Sequence, residues 1–255
     1  MTANENGTGS AGVPLPPGPV GEAEPPLESP HTELAAGQRD HALTLAFLIP
    51  AFDEAPNVAR VVRAAQRTGL GRVLVVDDGS TDGTAAAARA AGAEVLSLDQ
   101  NTGKGGALAA GAAALSEDVL VLLDADLVGL IPEQVLDLAA PVMQGEADMT
   151  RGSFTGGRWR TTAAQKIAPQ LSGQRAVLRS KLLSVPGLAE SRYGVEVAIT
   201  REAKERDWRL VEVDLPGVSQ VMKEEKLGRW SGFVARLKMY RDVLMTLVSG
   251  RKRKG

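Results

Sequence analysis

Acidic residues gather at three places in this 255-residue chain, each time directly after an apolar run. Pro50-Ala-Phe-Asp-Glu54 ends the first run, Asp77-Asp-Gly-Ser-Thr-Asp82 the second and Asp124-Ala-Asp126 the fourth. The third run leads into Asn101-Thr-Gly-Lys-Gly105, where Lys104 stands between two glycines. Carboxylates collected at one spot repel each other and lose hydration, so such a set calls for a cation or for donor groups on a ligand. A divalent metal bridging a pyrophosphate would meet that need. Singly, each segment has a plain structural explanation. Asp-Gly-Ser-Thr-Asp is a turn and helix-capping sequence with Ser80 or Thr81 as the cap, Pro50 could stop a strand, and an acidic pair is common at a solvated strand end. Their order, each at the end of a strand, is more specific than any one of them.

The elements that must position these loops alternate regularly. Residues 43–49, 72–76, 94–98 and 119–123 read as buried strands, and 57–66, 81–91 and 103–115 as helices between them. Repeated strand–helix–strand units of this length imply an α/β protein with a mainly parallel sheet, right-handed crossovers and ligands at the carboxyl ends of the strands. Beyond Asp126 the rhythm loosens. A helix is expected over 132–143, a strand over 148–154, a basic stretch over 158–166, a helix over 193–206 and a strand over 209–213. Residues 230–248 carry apolar side chains at helical spacing, from Trp230 to Leu247.

Hydrophobic residues make up 44% of the sequence, enough for one substantial core. The absence of cysteine excludes disulfides, a thiol nucleophile and thiolate metal sites. Half of the 14 prolines precede Asp40 in a segment poor in aliphatic residues, so residues 1–40 are expected to be a disordered leader. No apolar run is long enough to span a bilayer and no secretory signal is evident, which points to the cytoplasm. The basic tail 251–255 could favour an anionic membrane surface, and with the 230–248 stripe would allow peripheral membrane contact. No nucleic-acid partner is expected, and a homodimer is compatible with the sequence.

Ile49-Pro-Ala-Phe-Asp-Glu54, Val75-Val-Asp-Asp-Gly-Ser-Thr-Asp82, Asn101-Thr-Gly-Lys-Gly105 and Leu123-Asp-Ala-Asp126 resemble the four successive nucleotide-sugar motifs of family-2 glycosyltransferases. The resemblance implies a GT-A fold, Rossmann-like in its nucleotide-sugar half, with a mixed, mainly parallel sheet flanked by helices. It also implies a nucleoside-diphosphate sugar donor and Mg²⁺ or Mn²⁺. Residues 41–130 would form the nucleotide-sugar half and 131–250 the acceptor half of one domain. Carried over by position, Pro50, Ala51, Phe52 and Glu54 would line the base and ribose pocket, with Asp77, Asp78 and Ser80 beside them. Lys104 would reach the base or diphosphate, and Gly105 would let the backbone approach. Asp124, next to Ala125, would face the ribose or sugar, and Asp126 would be the principal metal ligand.

The second half is similar to glucosyl-3-phosphoglycerate synthases in Pro169-Gln-Leu-Ser-Gly-Gln-Arg175 and Tyr193-Gly-Val-Glu196. Those enzymes retain anomeric configuration, whereas ordinary family-2 enzymes invert it and need a carboxylate base. Glu196 is the candidate for that carboxylate, or else a helix-start acid paired with Arg192. Ser172, Gly173, Gln174 and Arg175 would form the acceptor pocket, with Arg175 alternatively a structural ion-pair partner. Related retaining enzymes add a histidine metal ligand late in the chain, but His31 and His41 both precede the domain here. Gln220 would take that place, its amide oxygen being a hard ligand suited to Mg²⁺ or Mn²⁺. Residues 222–226 could form a lid over the diphosphate. The function implied is transfer of a hexose from a UDP or GDP donor to a small anionic acceptor such as a phosphoglycerate, or to a lipid-phosphate acceptor. The alternatives are a non-catalytic nucleotide-sugar-binding protein and a sugar-phosphate nucleotidyltransferase.

Overall fold

The computed structural model describes residues 42–154 and 172–221. The expectations for the leader, the 158–166 stretch, the lid, the 230–248 helix and the basic tail lie outside the described residues.

The strand–helix alternation read from the sequence is present through the first half. It runs β1 (Leu45–Ala51), α1 (Val58–Gln66), β2 (Arg72–Asp77), α2 (Thr84–Ala90), β3 (Glu94–Ser97), α3 (Lys104–Ala114) and β4 (Val119–Leu122). The second half adds β5 (Leu127–Val128), α4 (Pro132–Met143), β6 (Met149–Ser153), β7 (Arg175–Leu178) and α5 (Arg179–Leu183). A 3₁₀ turn (Ala189–Gly194), α6 (Val195–Glu205), β8 (Leu210–Asp214) and β9 (Ser219–Gln220) complete it. Seven strands form one sheet in the order β3-β2-β1-β4-β7-β6-β8, while β5 and β9 make a separate two-stranded ribbon. Strands β1 to β4 are parallel, and β7 runs antiparallel to both β4 and β6.

Strands β1 and β4, at the centre of the sheet, are apolar at every position because both faces are covered. Phe47 and Ile49 of β1, Val75 of β2 and Val121 of β4 face a core shared with Val58, Val61 and Val62 of α1 and with Val135 and Leu138 of α4. Leu48, Val76, Leu120 and Leu122 face the opposite core, with Leu108 and Ala112 of α3 and Ala198 and Ile199 of α6. Helix α3 lies close on this face because Gly111 carries no Cβ, which would strike Leu48 and Val76. No helix among the described residues is long and apolar enough to cross a membrane.

Two boundary expectations need correction. Pro50 does not stop β1, which continues to Ala51 with Pro50 in register with Val76. Pairing of β1 to β4 ends at Leu48 and Leu122, so by Pro50 the strand has a hydrogen-bonded neighbour on one side only and the missing N–H is tolerated. Nor do Ser80 and Thr81 cap α2. The helix starts at Thr84 after Gly83 in a left-handed conformation, and Asp82 Oδ1 accepts the Thr84 N–H at 3.0 Å.

The sheet order reverses between β1 and β4, which carry their crossovers to opposite sides. At such a switch point the loops beyond the strand ends diverge and leave a crevice. Its lips are 50–54 and 124–126.

Candidate active site

Lys104 is the first residue of α3, and its placement begins with Gly103. That residue has φ 84° and ψ 165°, a conformation that suits only glycine. Asp78 fixes it from the neighbouring loop. Asp78 Oδ1 accepts the Thr102 N–H and Oγ1–H, both at 2.7 Å, and Oδ2 accepts the Gly103 N–H at 2.8 Å. A buried carboxylate at this helix N-terminus satisfies orphan N–H groups and favours the helix dipole. Asp78, expected to hold a nucleoside, is therefore engaged in holding α3. Asp77 accepts the Ser80 N–H at 3.2 Å.

From this anchored helix start the Lys104 ammonium reaches two carboxylates. It donates to Asp124 Oδ1 and, at 2.5 Å, to Glu196 Oε1 in the first turn of α6. All three side chains are largely buried, at 19%, 12% and 12% exposure for Lys104, Asp124 and Glu196. Leu108, Leu122, Val195 and Ile199 lie beneath them. Burial alone would lower the Lys104 pKa, but Asp124 and Glu196 outweigh it and hold the ammonium well above the ordinary lysine range. Burial likewise would raise the Asp124 carboxyl, yet Lys104, Gln174 and Gln220 together hold it below its ordinary range. Glu196 thus pairs with Lys104 and not with Arg192. Its Oε2 has no hydrogen-bond partner among the described residues.

The 172–175 segment supports this cluster from behind. Gln174 is fully buried and donates from Nε2 to Asp124 Oδ2 at 2.8 Å, while its Oε1 accepts from Ser172 Oγ at 3.0 Å. A Cβ on Gly173 would lie 2.5 Å from Lys104 Nζ and 2.6 Å from both carboxylate oxygens of Asp124, so only glycine lets β7 lie against the pair. Arg175 is 1% exposed. Its guanidinium donates to the Ser172 carbonyl at 3.1 Å, the Glu196 carbonyl at 3.2 Å and Thr200 Oγ1 at 3.0 Å. Burial pushes it down to about 10, with Glu196 opposing. Gln174 and Arg175, expected on the acceptor side, are both enclosed; one donates to Asp124 and the other to the Glu196 carbonyl and Thr200 of α6.

Asp126 and Gln220 meet on the β5–β9 ribbon, where Leu127 pairs with Gln220 and the Val221 N–H donates to the Asp126 carbonyl at 3.2 Å. Gln220 Nε2 donates to Asp124 Oδ2 at 2.5 Å. Two residues that the sequence did not single out hold this ribbon: Arg60 Nε donates to the Leu127 carbonyl at 2.8 Å, and Gln134 Nε2 to the Pro216 carbonyl at 2.7 Å. Arg60 reads in the sequence as an ordinary exposed helix charge, and no local signal distinguishes it. Asp124 and Asp126 are two carboxylates separated by one residue, and Gln220 joins them through its amide; no group of three or more His, Cys, Asp or Glu that could hold a metal occurs among the described residues. Mg²⁺ commonly takes one or two carboxylates and completes its shell with substrate phosphates and water, so this donor set fits such an ion.

The opposite lip carries Phe52, 41% exposed, with Pro50 and Ala51 behind it. Glu54 Oε2 accepts from Asn57 Nδ2 at 2.9 Å. Gly105 has a packing role, since a Cβ there would strike the Leu188 carbonyl and Ser191 Oγ; the close approach it permits is to the 3₁₀ turn. Ala125 is buried beneath the lip.

The profile of Glycosyl transferase family 2 matches residues 46–191, more than half of the chain. The chain belongs to this glycosyltransferase family. Glucosyl-3-phosphoglycerate synthase of Mycobacterium tuberculosis is 29% identical over 244 residues, spanning 81% of this chain and 73% of the relative. A crystal structure of that enzyme in complex with Mn²⁺, UDP and glucosyl-3-phosphoglycerate superposes with a TM-score of 0.66 at 28% identity, covering 81% of this chain and 79% of the other. A complex of it with Mg²⁺ and UDP gives 0.64 at 28% identity and the same coverage. The sheet is accordingly of the GT-A type, mixed and mostly parallel. Family-2 membership makes this chain a transferase and sets aside the non-catalytic and nucleotidyltransferase alternatives.

Proposed function

We propose that this glycosyltransferase moves a hexose from a UDP-linked donor to a small anionic acceptor of the phosphoglycerate kind, with Mg²⁺ or Mn²⁺ held by Asp126, Asp124 and Gln220. One observation carries the reading. Asp124, on the lip of the switch-point crevice, gathers Lys104 from the nucleotide half and Gln174 and Gln220 from the acceptor half. The relatives support it, because their structures hold UDP with Mn²⁺ or Mg²⁺ and the phosphoglycerate product.

Pro50, Ala51, Phe52 and Glu54 line the base and ribose side in this reading, with Asp77 and Ser80 below. A divalent ion held by these residues would supply Lewis-acid neutralisation of charge on the departing diphosphate. The chain's own residues do the rest. Gln174 and Lys104 fix the Asp124 carboxylate so that no reorganisation is needed at the moment of reaction. Ser172 and Gly173 bound the acceptor side. In transfer, the anomeric carbon exchanges its bond to the diphosphate oxygen for one to the acceptor oxygen. In an inverting transfer Glu196, with Oε2 available while Lys104 holds Oε1, is the carboxylate this reading assigns to take the hydroxyl proton.

Thermal-shift measurements with UDP, GDP and CDP, each with and without Mn²⁺, test the donor site. Stabilisation by UDP that requires the metal is expected, and no metal-dependent stabilisation by any nucleotide would sink the donor assignment. Transfer from UDP-glucose to 3-phosphoglycerate, with Asp126→Ala as control, tests the reaction.

A further inference from the structure

Asp53 sits at the tip of the loop that follows β1 and has φ 52°. A left-handed backbone is unfavourable for any residue with a Cβ, least so for Asp and Asn, and it persists where the surroundings hold it. Here the surroundings are the loop after β2. The Asp53 N–H donates to Ser80 Oγ at 3.0 Å, and Asp53 Oδ1 accepts the Thr81 N–H at 2.9 Å, a reciprocal pair between segments 27 and 28 residues apart. Two more bonds continue it: the Glu54 N–H to Thr84 Oγ1 at 2.8 Å and the Ala55 N–H to Asp82 Oδ2 at 3.1 Å. Asp82 is in turn set by Thr84, which donates to its Oδ1 from Oγ1 at 2.5 Å.

This latch lies next to Phe52, a residue 41% exposed on the loop that follows β1. An apolar ring kept half in water is unfavourable on its own account, but it offers a planar base a face on which to stack. The ring is useful for that purpose only if its loop is held still, and Asp53 bonds through both its backbone and its side chain to the neighbouring loop.

We propose that Asp53 is a positioning residue for the donor nucleotide, fixing the Phe52 ring and the Pro50 and Ala51 backbone as the platform on which the base rests. The role presupposes that the crevice takes a nucleotide donor, as proposed above. The four bonds are made by backbone N–H groups to side chains, so the loop conformation is specified by residue type at Asp53, Ser80, Asp82 and Thr84 more than by core packing.

Calorimetric titration of UDP in the presence of Mn²⁺ into wild type, Phe52→Ala, Asp53→Ala, Asp53→Gly and Asp53→Asn tests this. Asp53→Ala loses the acceptor for Thr81 and is expected to weaken UDP binding roughly five- to tenfold, the effect of one net hydrogen bond. Asp53→Gly takes the positive φ freely but has no acceptor, and should weaken binding as much. Asp53→Asn keeps an acceptor oxygen and tolerates the left-handed backbone, so it should bind within about twofold of wild type. The donor KM should rise in parallel with Kd, with kcat changed less than about twofold and Tm by only about 2 °C, because the bonds lie at the surface. A merely structural residue would lower Tm and leave Kd alone. Wild-type affinity in Asp53→Ala, with wild type itself binding UDP, overturns the proposal while sparing the donor reading. Failure of wild type to bind any nucleotide overturns both.

Discussion

Replacing Lys104 by Met removes the cation that bridges Asp124 and Glu196 and keeps most of the volume and helix propensity of the side chain. Breaking a buried pair by removing one partner costs about 3–5 kcal/mol. The lower end applies here, because Gln174 at 2.8 Å and Gln220 at 2.5 Å still donate to Asp124. A loss of about 3 kcal/mol lowers the Tm of a domain of this size by roughly 6–12 °C. The pH dependence is more diagnostic. In the native protein the Asp124 carboxyl is held below its ordinary value of 3.8, so its contribution is complete above that pH and is lost as pH falls through the depressed value. The Lys104 ammonium is held above its ordinary 10.5, so its contribution is complete below that pH and is lost as pH rises through the raised value. Between about pH 5 and 9 neither group titrates, and the cluster adds no slope to stability. In Lys104→Met the burial that raises the Asp124 carboxyl acts without its main opponent. The folded state then binds a proton more tightly than the unfolded chain, and stability falls as pH rises, by about 1.4 kcal/mol for each unit of upward shift. Urea melts at pH 5 and pH 8 measure this directly. A variant that loses less than about 1 kcal/mol, or whose stability runs parallel to wild type between the two pH values, refutes the ion-pair account.

Asp126→Ala should leave Tm within about 2 °C of wild type, since the side chain sits on the lip of the crevice, yet abolish both transfer and the Mn²⁺ dependence of UDP binding; calorimetry with and without metal decides it. Gly173→Ala puts a methyl group 2.5 Å from Lys104 Nζ and 2.6 Å from the Asp124 oxygens, displacing both, and should lower kcat by roughly a hundredfold while circular dichroism shows the fold retained. Gln174→Ala leaves Asp124 Oδ2 with Gln220 alone and should cost about 1–2 kcal/mol in a urea melt. Gln174→Glu sets a second carboxylate beside Asp124, so its urea-melt stability should fall further at pH 8 than at pH 5.

The sequence made the first half legible because each strand there is an apolar run closed by a turn, and burial of both sheet faces leaves that signature wherever it occurs. Pairings between distant elements were not legible. β7 opens on Arg175, expected from the sequence as an acceptor contact or a structural ion-pair partner; that it is buried, donating to the Ser172 and Glu196 carbonyls and to Thr200 Oγ1, depends on α6, further along the chain. The β5–β9 ribbon, two residues on each side, carries no periodicity to detect. Asp78 illustrates a different obstacle. In sequence it is indistinguishable from Asp77 as a candidate ligand group, and only the geometry of Thr102 and Gly103 shows that its oxygens are engaged by α3.

The cluster around Asp124 joins the two halves of the domain at one carboxylate. Lys104 and Asp124 come from the nucleotide half, while Glu196, Gln174, Gly173 and Gln220 come from the acceptor half, and each of the four touches the Lys104–Asp124 pair or closes on it. A change at Gln174 or Gly173 therefore moves the carboxylate that the proposed function sets against the donor. Substitutions at Gln174 or Gly173 should disturb donor and acceptor kinetics together, because neither residue can shift without shifting Asp124. The latch at Asp53 is the opposite case. Asp53 bonds to Ser80 and Thr81 and the rest of the latch to Asp82 and Thr84, all between residues 53 and 84, so its loss should be felt in donor binding and leave the acceptor KM untouched. Asp53 on one side and Gln174 and Gly173 on the other thus make opposite kinetic signatures, and the difference follows from which segments each of them connects.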